Sequence, residues 1–464
     1  MEYIEKQRNI PVDGGYDVVV IGGGTAGAFA AIAAAKEGKK VILTEQFGSL
    51  GGSATVGLVC PVMHTHIEGN PTCSYISKLV VDRLIATGAC KPTYFPNPTN
   101  FDPMILKIIL EQMCDESGVK VLFHTFFCDT AVENGSVVGV IVENKGGRKM
   151  ISGKCYIDCT GDGDVCVRAG AEYTHGNPDN GANQPVSLRY IVGGIDLDTY
   201  KGFMEEQCRK NGTNGCSPEE RYAAVTGKGK WTLGTLFDEA IANGDLIPED
   251  KLYWQSFTVP GRSDTLAFNN PEFFDLADAT DPEGLSRIQL DGKKAILRQL
   301  AFYKKYFKGF ENAYIAEIAG MVGIRESRSI ITDYVLTGND LFSKKKFNDA
   351  FCISNYPVDI HGRTLKCDHI PQPESDNRPY YEIPYRSLVV KNLDNLLVTG
   401  RCMGAEFFAQ SSLRVMHSVR SSGEAAGIAA SMAIDTGKTV HDVDGAAVRA
   451  RMLELGADFG KDYQ

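Results

Sequence analysis

Residues 17–21 read DVVVI, a short β-branched run that stops at glycine. Apolar positions without polar alternation predict a strand covered on both faces in a parallel sheet. Residues 22–27 (GGGTAG) break the pattern. Residues 28–37 (AFAAIAAAKE) then run alanine-rich to Gly38, which predicts a tightly packed helix with a glycine cap. Residues 40–45 (KVILTE) form a second apolar run, so the chain opens as strand, glycine loop, helix, strand. Past Gly48 the pattern turns loop-rich, with a second glycine cluster at 51–55. Residues 101–116 read as an amphipathic helix and 119–124 as a strand. Residues 129–144 alternate about Asn134-Gly135, a hairpin-turn pair, and 154–158 form a strand leading into Cys159-Thr160-Gly161-Asp162. The stretch from about 171 to 386 differs. It holds most of the prolines, Gly- and Asn-rich loops and a strand at 186–192, and it has no repeat of the opening unit. Residues 395–399 (NLLVT) are the last strand-like run, and a long helix of small residues spans 415–436.

Composition narrows the class. At 464 residues the chain exceeds what one core supports, so two domains, or one with a large insertion, are expected. Hydrophobic residues at 43% and charged ones at 23% fit a soluble globular protein. A net charge of −10 offers no basic footprint for nucleic acid. No apolar run reaches 18 residues, which argues against membrane insertion, and Glu2, Glu5 and Asp13 argue against a secretory signal. The thirteen cysteines are odd in number and include no CxxC pair; reduced thiols and a cytoplasmic location are expected. A homo-oligomer is left open.

The glycine loop carries the first chemistry. Gly22, Gly24 and Gly27 form G-x-G-x-x-G between a strand and a helix. The first permits the tight turn, the second lets backbone approach a pyrophosphate, and the third lets helix and strand pack closely. The helix N-terminus then offers free N–H groups to the phosphates. Glu45 stands 21 residues after Gly24, at the end of the second strand, where a carboxylate grips the adenosine ribose. This context predicts a dinucleotide site without choosing between FAD and NAD.

Six ordered blocks make that choice through resemblance: residues 17–35, 51–59 (GGSATVGLV), 157–165 (IDCTGDGDV), 323–330 (GIRESRSI), 380–388 (YYEIPYRSL) and 395–416 (NLLVTGRCMGAEFFAQSSLRVM). In these the chain resembles, almost end to end, the FAD-dependent oxidoreductase family distantly related to the fumarate reductase and succinate dehydrogenase flavoproteins. The resemblance implies an α/β fold in which a Rossmann-like FAD-binding domain with a parallel central sheet (1–170 and 386–464) receives an inserted α+β substrate domain (171–385). It implies FAD contacts at Gly22, Gly24, Thr25, Ala26, Gly27, Glu45, Gln46, Gly52, Ser53, Ala54, Thr55, Cys128, Thr160, Gly161, Asp162, Gly400, Arg401, Ser412, Leu413 and Arg414. The loop 51–55 would follow the ribitol and flavin, and the turn 160–162 the adenosine half. Residues 410–415 would begin the final helix, its N-terminus aimed at the flavin N1–C2=O edge.

No second G-x-G-x-x-G follows a strand, so no dedicated NAD(P)H domain is expected. Without a CxxC near the flavin loops, disulfide exchange is not expected either. Electrons would pass through a bound substrate, a partner protein, a quinone, oxygen or an undomained nicotinamide; the sequence does not name the electron partner. Arg325 and Arg328 lie three apart, on one face if helical, and read either as an anion site or as an ion-pair network bracing the domains. His64 and His66 share a strand face. They lack a further ligand, so no metal is expected, and a pocket acid or base is the reading for His64, with covalent flavin attachment open by analogy. His361 and His417 read as structural, while Gln184 and Ser187 resemble the family's strand into the substrate domain. The expected enzyme is an FAD-dependent dehydrogenase or reductase moving a hydride between a small-molecule substrate and flavin N5. Substrate would bind between the middle domain and the flavin, near Arg325 or Arg328 and His64. An oxygen-using oxidase or monooxygenase, and a non-catalytic flavin-fold module, are the alternatives.

Overall fold

The computed structural model describes residues 8–61, 67, 71–91, 100–213, 231–274, 276, 278–361 and 380–460. The first elements are β1 (Val12–Ile21), α1 (Thr25–Lys36), β2 (Val41–Thr44), α2 (Tyr75–Ala86), α3 (Pro103–Glu116), β3 (Lys120–Leu122), β4 (Phe126–Glu133), β5 (Ser136–Asn144), β6 (Gly147–Asp158) and α4 (Asp164–Arg168). The apolar run at 17–21 is the end of β1, gripped between β2 and β6, both parallel to it. That double cover is why alternation is missing there. β3 adds in parallel beyond β2. β4 and β5 pair as the predicted hairpin, with Asn134 (φ 50°) and Gly135 (φ 80°) both left-handed at its turn, and β5 turns back antiparallel onto β6.

The middle of the chain supplies β7 (Tyr173–His175), β8 (Val186–Ser187), β9 (Tyr190–Gly193), α5 (Leu197–Asn211), α6 (Gly234–Ala242), β10 (Ser256–Thr258), β11 (Leu266–Phe268), β12 (Glu272–Phe273), α7 (Pro282–Tyr306), β13 (Tyr314–Ile318), β14 (Arg328–Ile330), α8 (Gly338–Phe342), β15 (Ala350–Ser354) and β16 (Tyr381–Pro384). Its main sheet is antiparallel, in the order β10-β11-β9-β13. α7 starts on the Asp281 cap with Pro282 in its first turn, and its Tyr303 stacks on Phe268, itself stacked on Tyr190, each pair at 5.0 Å. This aromatic core, with Trp254 fully buried, is separate from the core around β1 and α1.

The chain ends with β17 (Leu396–Val398), α9 (Phe407–Leu413), α10 (Met416–Thr436) and α11 (Gly445–Leu455). β17 returns to the first sheet, parallel to the second half of β6, whose first half pairs β5. The parallel order is therefore β3-β2-β1-β6-β17. α10 lies against α1, and the small residues have a reason. A Cβ at Gly423 would stand 2.2 Å from the Ala26 carbonyl oxygen, and one at Gly427 2.4 Å from that of Ala30. The two helices pack backbone to backbone.

Three expectations are corrected. The strand at 186–192 is split into β8 and β9, because β8 pairs with β12 whereas β9 pairs with β11 and β13. Arg325 and Arg328 share no helical face: Arg325 precedes β14, and Arg328 opens it opposite His175. The final helix does not begin at 410–415. Gln410, Ser412 and Leu413 belong to α9, Val415 is extended (ψ 153°), and α10 starts at Met416. Arg414 marks the break, turned to donate from Nη2 to the Asp359 carbonyl oxygen at 2.9 Å. No helix among the described residues is long and apolar enough to cross a membrane.

Candidate active site

The glycine loop is shaped by what a side chain would hit. Gly22 has φ 95°, and a Cβ there would stand 2.5 Å from the Cys159 carbonyl oxygen. At Gly27 a Cβ would meet the Gly22 oxygen at 1.8 Å, so α1 rests directly on the turn. Gly24 differs: its Cβ would meet nothing nearer than the Gly52 Cα, at 4.0 Å. The space over Gly24 is open, and the first turn of α1 has no side-chain cap and no acid. Unclaimed helical N–H groups beside a bare glycine backbone fit a pyrophosphate. The second glycine cluster locks on beside it. Gly51 N–H donates to the Gly23 oxygen at 2.8 Å, and Thr25 Oγ1 donates to the Gly51 oxygen at 3.0 Å.

Glu45 ends β2 with its carboxylate buried. Oε2 accepts from Gly23 N–H and Oε1 from Phe47 N–H, each at 2.8 Å. Each oxygen has a second lone pair for a ribose hydroxyl. Burial raises this carboxyl's pKa, and the backbone donors of Phe47, Gly23 and Gln46 oppose the rise. Across the loop, buried Asp158 at the end of β6 accepts from Thr160 N–H, Thr160 Oγ1 and Cys166 N–H, which fixes the turn at 160–162. Arg401 Nη2 donates to Asp162 Oδ1 at 3.0 Å, while its buried Nη1 has no partner.

These groups line one end of a cavity of about 1310 Å³. That exceeds the ~300–1,000 Å³ of an ordinary small-molecule pocket and suits a dinucleotide with a substrate beside it. The other end is walled by the middle of the chain. Ser187 and Arg189 line it, while Leu188 and Tyr190 between and beyond them enter the aromatic core. Opposite charges then alternate through a chain of contacts. Arg325 donates to the Pro185 oxygen at 2.7 Å and pairs with Glu272 Oε1. His361 Nδ1 lies 2.8 Å from Glu272 Oε1, and its Nε2 lies 3.3 Å from Asp359 Oδ1. Arg414 closes the series on Asp359. Carboxylates only accept, so both ring nitrogens of His361 face acceptors. Burial raises the Glu272 pKa, but Arg325, His361 and Arg189 outweigh it and hold it below the usual range. Asp359 is held well below its usual value in the same way, by His361, Arg414 and Arg325 against burial. Burial, then the neighbouring Arg325, lowers Arg189 to about 10, which leaves it a cation at neutral pH.

Of the residues expected at the cofactor, Gly22, Gly24, Thr25, Ala26, Glu45, Gln46, Gly52, Ser53, Cys128, Thr160, Gly161, Asp162, Gly400, Arg401 and Arg414 line this cavity. Gly27 lies behind it under the turn. Ala54 and Thr55 point into the core, with Thr55 Oγ1 donating to the Leu50 oxygen at 2.6 Å, and Ser412 and Leu413 are buried in α9. Val415 and Met416 bring the start of α10 to the cavity, the position expected a few residues earlier. Arg325 lines the cavity. Arg328 does not: it pairs with Asp164 at 2.8 Å and donates to the Asp162 oxygen at 3.2 Å. Glu326 accepts from Gly176 N–H, Asn183 and Gln184 N–H, a bracing role. His64 and His66 lie outside the described residues. Sequence reasoning missed Arg189, Glu272 and Asp359 and read His361 as structural. The signal for Arg189 was its alternation with core residues in QPVSLRY. Elsewhere, Cys73, Cys352 and His417 bring three ligand atoms within 4.8 Å in the core, one donor short, among the described residues, of a four-coordinate structural zinc site.

Solved structures of similar fold include a geranylgeranyl bacteriochlorophyll reductase-like protein from Thermoplasma acidophilum, at 12% identity over 96% of this chain and 83% of that one, with a TM-score of 0.45. The flavin-dependent brominase Bmp2 is 13% identical over 95% and 83%, with a TM-score of 0.48. The p-nitrophenol 4-monooxygenase PnpA from Pseudomonas putida is 10% identical over 96% and 87%, with a TM-score of 0.46. No curated protein sequence matches the chain significantly. The model of the FAD dependent oxidoreductase family matches residues 17–452, nearly the whole length. This chain belongs to the FAD-dependent oxidoreductase family, an enzyme family whose cofactor is FAD.

Proposed function

We propose that the protein is an FAD-dependent dehydrogenase or reductase that moves a hydride between a small organic substrate and the flavin, with residues 171–385 as the substrate-side domain. The observation that carries this reading is a single cavity with the glycine loop at one end and the Arg325–Glu272–His361–Asp359 chain at the other. Gly24, the start of α1 and Glu45 would hold the pyrophosphate and ribose, and Arg401, Gly400 and the start of α10 the remainder of the cofactor. Bound FAD supplies the two-electron acceptor or donor. Arg325, anchored by Glu272, stabilises negative charge developing on the substrate. His361, oriented by Glu272 and Asp359, passes a proton to or from the substrate, the role first read for His64. Arg328 positions the 160–164 turn.

Anaerobic titration of the yellow holoenzyme with alcohol, amine and carboxylate donors tests this directly. The expected result is bleaching of the flavin band by at least one donor, slowed by a factor of about 100 or more in His361→Gln. Bleaching by none, with rapid reaction of chemically reduced enzyme with oxygen, would replace this reading with an oxygen-using enzyme.

A further inference from the structure

Most of the cations in the cavity's substrate end are already committed. Arg325 is held by Glu272 and the Pro185 oxygen, and Arg414 by Asp359. Arg189 is the exception. It lines the cavity, its buried Nε has no partner, and no described residue accepts a hydrogen bond from its guanidinium or pairs with it. Glu272 attracts it from beyond ion-pair distance, and the Glu272 contacts go to Arg325 and His361. A half-buried guanidinium that faces a cavity with no counter-charge in contact is open to pair with an anion there. The local fold holds it there. β8 and β9 are pinned by different partner strands, and Leu188 and Tyr190 anchor the segment in the aromatic core. Arg189 is thereby turned to the cavity side, beside Ser187.

We infer that Arg189 is the anchor for a carboxylate group of the substrate, so that this enzyme acts on an organic acid. One unpaired guanidinium balances one monoanionic group, and its planar fork matches a carboxylate through two parallel N–H···O bonds. A phosphate dianion would call for a second free cation, and Arg325 and Arg414 are each engaged with a carboxylate. This assignment rests on the reading of the cavity as the substrate site.

The test is equilibrium binding to the yellow holoenzyme, followed by flavin difference absorbance at constant ionic strength. Sodium formate, acetate, succinate and benzoate are compared with the matching amides. At least one carboxylate is expected to saturate while its amide is silent. Arg189→Met is expected to weaken that binding at least about tenfold, and Arg83→Met, on the far exposed Glu116 pair, to leave it unchanged. Saturation by no carboxylate, or equal binding by an FAD-loaded Arg189→Met, overturns the assignment. If Arg189→Met does not retain FAD, Arg189→Lys decides: it keeps the charge and loses the fork, and is expected to bind at least about threefold more weakly. Equal affinity there also overturns it. Because no turnover is read, the two proposals fail separately. An enzyme that binds carboxylate through Arg189 but is bleached by no donor loses the dehydrogenase reading and keeps the anchor.

Discussion

The two ends of the cavity are built from different material. The end proposed for the nucleotide is backbone: glycines where a Cβ would collide or intrude, helical N–H groups, and one carboxylate at a strand end. The end proposed for the substrate is side chain: Arg189, Glu272, Arg325, Asp359 and His361, brought together from four distant stretches of the chain. Backbone geometry is a local property, so the first end tolerates almost no change of residue and little variety of ligand. Side-chain charge is set by tertiary contact, so the second end can be re-specified without disturbing the first. Folds that carry many chemistries on one cofactor site divide their labour in this way.

Two glycines only three positions apart break the comparison open within the nucleotide end. Gly27→Val puts a side chain 1.8 Å from a backbone oxygen that cannot move without lifting α1 off β1. The expected loss is about 4 kcal/mol or more, read as insoluble protein or a collapsed melting transition. Gly24→Val fills open space instead, and its extended φ of −68° accepts a β-branched residue. That variant should melt as apoprotein within about 1 kcal/mol of the parent yet bind FAD at least about a hundredfold more weakly, which is roughly 2.7 kcal/mol. A folded Gly24→Val protein that stays yellow would separate the glycine loop from the pyrophosphate.

The same division decides what could be read from the sequence. Gly22, at φ 95°, and Gly27, under the turn, leave a spaced pattern because only glycine satisfies them. Asn134-Gly135 and the small residues of α10 are legible for the same reason. Glu45 is legible because its partner loop is fixed in sequence distance. Arg189, Glu272 and Asp359 have no such spacing; each is an ordinary charged residue until β8, β12 and the segment after β15 meet. Arg325 was singled out by its block, but its neighbour Arg328 looked equivalent, because a three-residue spacing says nothing once the segment is loop and strand rather than helix. The break before α10 was invisible for a similar reason: it depends on Arg414 reaching Asp359.

Within the substrate end, Glu272 is the shared member, touching both Arg325 and His361. Glu272→Gln leaves Arg325 buried without its counter-charge, at an expected cost of about 3 kcal/mol at neutral pH. The pH dependence has a definite sign. The folded Glu272 carboxyl is held below its ordinary value of 4.5, so its contribution to stability is present above that value and is lost as pH falls through the folded one. Asp359 behaves alike. Denaturant melts of parent and Glu272→Gln should differ most near pH 7 and converge as pH drops below about 4.5. A gap that stays constant into acid would mean that the carboxylate charge contributes nothing to this wall.

The smallest effect sharpens the boundary between the two ends. Arg328 was grouped with Arg325 by spacing, yet it does not line the cavity; it pairs with Asp164 at the cavity's edge, whose side chain is 46% exposed. An ion pair that open to water contributes under about 1 kcal/mol, and Arg328→Met should cost no more. Its deficit should grow with pH in the same sense as that of Glu272→Gln, but over a higher pH window. Partial burial, then Asp162 and Asp158, push the Asp164 carboxyl up to about 6, with Arg328 opposing them. A raised acid favours the folded state below its unfolded value of 3.8, and that advantage is lost as pH rises through the folded value. Without Arg328 the carboxyl rises further, so the variant's deficit should be absent in acid and open as pH climbs through about 6. Melting curves from pH 4 to 8 read this directly. A deficit of several kcal/mol would place Arg328 among the buried charges with Arg325 after all, and one largest in acid would mean that the pair with the Asp164 carboxylate is not what Arg328 contributes.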